Sequence, residues 1–203
     1  MKLTRSEALS HCQSAERGNF RSIGQLLRHF IDGEVAVGLA AGPGLGITSG
    51  VGTIHKSSVQ RLGDLYLTRI LLDLTGLTSA DSDLDVIGVE DTTSPCHIGQ
   101  ITTGVNGTIF GGSVTCLEAP ASLTDIGIYS AGSGTLVYEN LITDASDEIV
   151  ILTPAVQAVA NGAVPIANVP TNGQYLYLVN GAIDTPDIFT AGKLLVELYG
   201  YAA

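Results

Sequence analysis

From Leu65 onward, runs rich in Val, Ile, Leu, Thr and Tyr recur at roughly eight-to-twelve-residue spacing, each closed by Gly, Pro, Asn or Asp. Runs that short cannot supply a helix long enough to bury a useful apolar face, so the chain must build its core from paired strands. The strand candidates are 65–74, 98–105, 108–117, 125–129, 136–141, 148–152, 174–179 and 193–201, with a shorter one at 86–89. In the first, Ile70, Leu72 and Leu74 alternate onto one face. In the last, Leu194, Val196 and Leu198 face one way and Glu197 and Tyr199 the other. Asn106-Gly107 lies between two β-rich runs, the signature of a type I′ hairpin, whose central residues both need positive φ. Residues 155–170, rich in Ala, Pro and Asn, read as a loop. No strand–helix–strand alternation is present. The expected fold is mainly β, an antiparallel β-sandwich or jelly-roll-like domain over residues 64–203.

Ahead of it the pattern changes. Residues 1–33 read as a short helical segment. Thr4 with Glu7 and Ser22 with Gln25 have capping-box spacing, and Ile23, Leu26, Leu27, Phe30 and Ile31 fall on one helical face. Arg21 and Arg28 lie together on one side of that helix, and Asp32-Gly33 is a stop signal. Residues 34–63 are Gly- and Ala-rich, with no charge between Val35 and Ile54. The length invites a membrane span, but Gly and Ala bury little apolar area and Gly42-Pro43-Gly44 breaks a helix. An extended arm, packed on its own body or on a neighbour, fits this composition.

Charge divides the chain the same way. Lys2, Arg5, Arg17, Arg21 and Arg28 face only Glu7 and Glu16 in the first thirty residues. From Ile70 onward Lys193 alone opposes fifteen Asp and Glu, and the net charge is −11. Nucleic acid is bound through Lys and Arg, which this body lacks. An acidic surface instead keeps a crowded protein soluble. Cys12, Cys96 and Cys116 form no disulfide framework, and Lys2 and Arg5 precede Ser6-Glu7 rather than an apolar stretch, which reads as synthesis in a reducing cytosol.

Chemistry-bearing motifs are weak. Gly50–Ser57 (GVGTIHKS) approaches a phosphate-binding loop, but His55 stands where the motif needs its second Gly. Asp81, Asp83 and Asp85 alternate like the start of a calcium loop, yet Val86 and Thr92 occupy the positions of its Gly and Glu; a solvated acidic loop is favoured over an irregular cation site. His11-Cys12 and Cys96-His97 lack zinc-ligand spacing. Cys96 and Cys116 are expected as buried thiols near the open end of the 98–117 hairpin. His11, His29, His55 and His97 are scattered, with no nucleophile elbow beside them. Tyr175, Tyr177, Tyr199 and Tyr201 are the aromatics available for a sugar-binding platform.

The stretch HIGQITTGVNGTIFGGSVTCLEAP (97–120) and the ending FTAGKLLVELYGY (189–201), with LTRILLDLTGL (67–77), DVIG (85–88) and QYLYL (174–178) in the same order, resemble small structural proteins of tailed bacteriophages. The resemblance covers residues 64–201. It implies a virion component on the capsid surface, made in the host cytoplasm: a non-enzymatic capsid decoration or cement protein, without cofactor, that forms homotrimers and reaches over the major capsid protein. The expected capsid-binding residues are Arg21, Ile23, Leu26, Leu27, Arg28 and Phe30, with the 35–54 arm. The expected oligomer interface is Tyr175, Tyr177, Leu195 and Tyr199. The alternatives are a head or neck fibre and a receptor- or carbohydrate-binding β module.

Overall fold

The computed structural model describes residues 38–91, 93–121, 125–145, 147–153, 162–181 and 185–202. The described chain is mainly β, in two antiparallel sheets. β1 (Ile54–Leu62) and β2 (Leu65–Asp73) form a hairpin. β4 (Thr108–Glu118), β7 (Gly162–Pro165) and β9 (Lys193–Tyr201) complete a five-stranded sheet in the order β1-β2-β9-β4-β7. β3 (His97–Gln100), β5 (Ile126–Ala131), β6 (Ile149–Leu152) and β8 (Tyr175–Asn180) make a four-stranded sheet in the order β3-β8-β5-β6.

Strand alternation sets the inner face of the first sheet. Registers align Ile70 with Val196 and Val196 with Val114, and Leu72 with Leu194 and Leu194 with Cys116. All are buried and belong to one core with Ile126, Ile128, Leu176 and Leu178 of the second sheet. Every residue of β5 and nearly all of β8 are buried, so the second sheet is covered on both sides. Leu77, Ala80, Val86, Ile87, Tyr138 and Ile142 supply further buried side chains from the irregular 77–88 and 136–145 segments. These segments also tie their backbones to strands and to each other: Ile87 N–H donates to Leu178 O, Leu84 N–H to Asn180 O and Val86 N–H to Asn140 O.

Several sequence expectations are corrected. Asn106-Gly107 is not a hairpin turn. It ends a one-turn helix, α2 (Thr103–Asn106), and the chain changes sheets there, from β3 to β4. Gly107 sits at φ 70°, and a Cβ on it would lie 2.6 Å from the Tyr201 carbonyl oxygen, so positive φ is needed, but for a cap. Asn106 is buried. Its Oδ1 accepts from Thr102 N–H (2.9 Å) and its Nδ2 donates to Thr68 Oγ1 (2.8 Å), pinning the crossover to β2. Cys96 and Cys116 therefore do not face each other across a hairpin, although both are buried. Residues 136–141 form a turn with one bridge rather than a strand, and the span expected as a loop contains β7. At 86–89 only isolated bridges form.

The described part of the expected 34–63 arm is built into the body. Ile47, in the short helix α1 (Leu45–Thr48), is fully buried, and β1 completes one edge of the five-stranded sheet. Gly44 N–H donates to His97 O and Gln100 N–H to Ala41 O, so residues 41–44 run along the edge of β3. A Cβ on Gly46 would overlap the Cys96 sulfur, which explains the glycine there as close backbone approach rather than flexibility. The 1–33 helical segment lies outside the described residues.

Asn106→Ala leaves the Thr68 hydroxyl and the Thr102 amide without their buried partner. Urea unfolding of this variant should show a loss of about 2 kcal/mol at unchanged m-value. A loss below about 0.5 kcal/mol would mean that the crossover does not depend on this pair.

Candidate functional site

Of the residues singled out for function, Arg21, Ile23, Leu26, Leu27, Arg28 and Phe30 lie outside the described residues. The four expected at an oligomer interface are split between the sheets. Tyr177 is fully buried and its hydroxyl donates to Ser133 O at 2.7 Å, so it is withdrawn from any surface role. Tyr175 is half-buried, with its ring 4.8 Å from that of His97. Leu195 and Tyr199 share the outer face of β9, on either side of Glu197.

That outer face is the most distinctive surface among the described residues. Two β-bulges shape it. Ile109 pairs with Gly200 and Gly111 with Tyr199, leaving Phe110 as the extra residue; Cys116 pairs with Leu194 and Glu118 with Lys193, leaving Leu117. The alternation of Val114 and Cys116, carried back along β4, would turn Phe110 inward, and the bulge turns it out; Leu117 is outward by the same alternation, and both are exposed. Phe110 stands 6.4 Å from the Tyr199 ring and 6.2 Å from the Tyr201 ring. Beside them at the same end lie Leu62 and Leu65, the residues flanking the β1–β2 turn; Leu65 pairs with Tyr201. Phe110, Leu62 and Leu65 are 58, 68 and 54 % exposed. Five large apolar or aromatic groups at one end of a sheet face are more than the scattered single exposures of an ordinary surface. Polar groups bound the cluster. Arg69 Nε donates to Glu197 at 2.9 Å in the row next to Tyr199, and Lys193 bridges Asp73 (3.5 Å) and Glu118 at the far end. The Glu118 bond leads the causes that raise the Lys193 pKa.

The other chemistry-bearing groups do not converge. Gly50–Ser57 runs through a turn directly into β1, with Lys56 exposed on the strand, so no helix N-terminus follows to cradle a phosphate. Among the described residues no three His, Cys, Asp or Glu are placed to hold a metal ion. Asp85 is buried while Asp81 and Asp83 are exposed; burial, then the charges of Asp81 and Glu139, push the Asp85 carboxyl up. Burial pushes the Cys96 thiol up to about 12 and raises Cys116 as well, which leaves both poor nucleophiles. No helix among the described residues is long and apolar enough to cross a membrane.

His55 and His97 make an unexpected pair between the sheets. His55 Nε2 lies 2.7 Å from Ile98 O, while His97 Nδ1 is buried without a hydrogen-bond partner and its ring packs against Tyr175 and Tyr177. Burial lowers both pKa values, and for His97 the neighbouring His55 adds to the shift. Sequence reasoning missed this pair because the two residues belong to strands of different sheets.

No protein-family model, curated protein or solved structure matches this chain.

Because both imidazoles titrate lower in the folded protein, the unfolded chain takes up their protons first as the pH falls. Their contribution to stability is complete above about pH 6.5 and is lost as the pH drops through the folded values. The urea midpoint should fall between about pH 7.5 and 5, and a His55→Gln/His97→Gln double variant should show a shallower fall over that window. An unchanged slope would contradict the burial of the pair.

Proposed function

We propose that this chain is a non-enzymatic virion structural protein, a capsid decoration or cement protein. In this reading the β domain self-associates, as a homotrimer, and the basic N-terminal segment holds the major capsid protein. The observation that carries it is the apolar end of the outer sheet face, Leu62, Leu65, Phe110, Tyr199 and Tyr201. Aromatic anchors among aliphatic neighbours, ringed by polar groups, are the composition of an interface core. The resemblance of residues 64–201 to tailed-phage structural proteins supports the same reading. So does the charge split, which gives an acidic body that repels other particles and a separate basic head. Of the residues first expected at the interface, Leu195 and Tyr199 are kept, and Phe110, Tyr201, Leu62 and Leu65 join them.

The exposed ring trio also favours a second reading, a receptor- or carbohydrate-binding module, since rings stack on the apolar faces of sugars. Its platform would be Phe110, Tyr199 and Tyr201, not Tyr175 and Tyr177.

Sedimentation of the purified chain should show a trimer. Phe110→Ser/Tyr199→Ser should dissociate it, each truncation costing about 2 kcal/mol at an anchor position. Deleting residues 1–37 removes none of the described elements, so the truncated chain should keep its oligomeric state and lose binding to empty capsid shells. Full shell binding by the truncated chain would refute clamping by the N-terminal segment. A monomeric wild-type chain that binds a glycan array through Tyr199 would favour the second reading.

A further inference from the structure

Strand edges are normally covered, shortened or interrupted, because unpaired main-chain groups recruit other strands. Three of the four sheet margins here follow that rule. β7 has four residues and ends in Pro165, and β6 also has four. β3 is flanked by residues 41–44. β1 is different. It runs nine residues without Gly or Pro, in unbroken register with β2 from Ile54↔Asp73 to Leu62↔Leu65. Among the described residues no backbone hydrogen bond joins β1 to anything but β2.

The direction of its free groups follows from the turn. Bonded and non-bonded pairs alternate in an antiparallel ladder, and a two-residue hairpin turn, here Gly63–Asp64, closes on a bonded pair. Leu62, Gln60, Ser58, Lys56 and Ile54 therefore direct their main-chain groups to β2. Those of Arg61, Ser57 and Val59, with His55, point away from it.

Charge selects the occupant. The described residues hold four Lys or Arg, and three of them, Lys56, Arg61 and Arg69, lie on the β1–β2 hairpin. Arg69 is engaged by Glu197. Lys56 enters no ion pair among the described residues. Arg61 donates from Nε to Gly63 O at 2.8 Å and lies 5.1 Å over the Tyr66 ring, and its one carboxylate contact among the described residues is 3.9 Å to an exposed Asp64. A second copy of β1 would bring the same positive charges with it. So would the basic N-terminal segment, with Arg17, Arg21 and Arg28. Both are disfavoured by like-charge repulsion across the pair.

We propose that β1 is an acceptor edge for strand addition, and that its ligand is an extended acidic segment of another protein. Main-chain bonds to Ser57, Val59 and Arg61 hold the incoming strand, and its carboxylates lie against Lys56 on one face of β1 or Arg61 on the other, according to the face on which its alternation presents them. This is independent of the apolar cluster and of the virion reading.

The test uses the full chain and a strand-length fluorescein-labelled peptide alternating Val and Glu, with a Val–Lys peptide as counterpart, read by fluorescence anisotropy. The Val–Glu peptide should bind saturably, more weakly as salt is added, and the Val–Lys peptide should not. Ser57→Pro removes one outward N–H and leaves the β1–β2 ladder intact, because proline is tolerated on the solvent side of an edge strand. It should weaken binding about tenfold or more, with an unchanged urea midpoint showing that the fold is kept. Lys56→Glu/Arg61→Glu should exchange the peptide preference. Absent or equal binding of the two peptides, or indifference to Ser57→Pro, would overturn the proposal. A solution oligomer that Ser57→Pro dissolves would overturn it in favour of a second copy as the occupant. No capsid shell enters the assay, so failure here leaves the virion reading standing, and failed shell binding leaves this one untouched.

Discussion

The pairing of β9 between β2 and β4 is the constraint on which the rest of the structure depends. Residues 193–201 bond to 65–73 on one side and to 108–118 on the other. Leu194, Val196 and Leu198 thereby join Leu72, Ile70, Val114 and Cys116 in continuous inner rows. Remove β9 and the β1–β2 hairpin loses its strand contact, among the described residues, with the rest of the first sheet. A two-stranded hairpin is marginal alone, so the hairpin's order derives from a partner more than a hundred residues away. Closing so long a loop before any contact forms makes folding slow and cooperative.

The same register decides what is exposed. Strict alternation would give the first sheet an apolar inner face and a mixed outer one. The bulge at Phe110 in β4 breaks that alternation and adds Phe110 to the outside, where Leu117 already lies by alternation from Cys116. Phe110 then meets Tyr199 and Tyr201, which β9 already presents there. The apolar cluster is thus a product of one local irregularity and one long-range pairing. Among the described residues the second sheet has no comparable face, because irregular segments around 77–88 and 136–145 fill in around it and keep β5 and nearly all of β8 buried.

Much of this was legible in the residues. Short β-rich runs closed by turn residues located β2, β4, β5, β6, β8 and β9 to within a few positions, and period-two alternation set the inner faces of β2 and β9. Glu197 and Tyr199 were read as facing away from Leu194, Val196 and Leu198 for the same reason. What misled was local chemistry that serves two purposes. Asn-Gly satisfies a hairpin turn and a helix stop equally well, and only the buried bonds of Asn106 to Thr68 and Thr102 decide between them. Glycines at 44 and 46 read as a flexible arm, yet they mark close backbone approach to residues 94–97. Tyr177 read like Tyr199, although one lies in the core and the other on the surface. Aromatic residues in strands carry no label for which layer they enter.

The sequence by itself determined the fold class, the positions of most strands, the acidic body and the basic head, because strand periodicity and charge are properties of neighbouring residues. Only the tertiary structure decided which strands are neighbours, which tyrosines are buried, where His55 meets His97, and that β1 pairs with β2 alone among the described residues. Those facts depend on contacts between residues far apart in the chain, and short-range pattern carries no information about which distant partner a strand will choose.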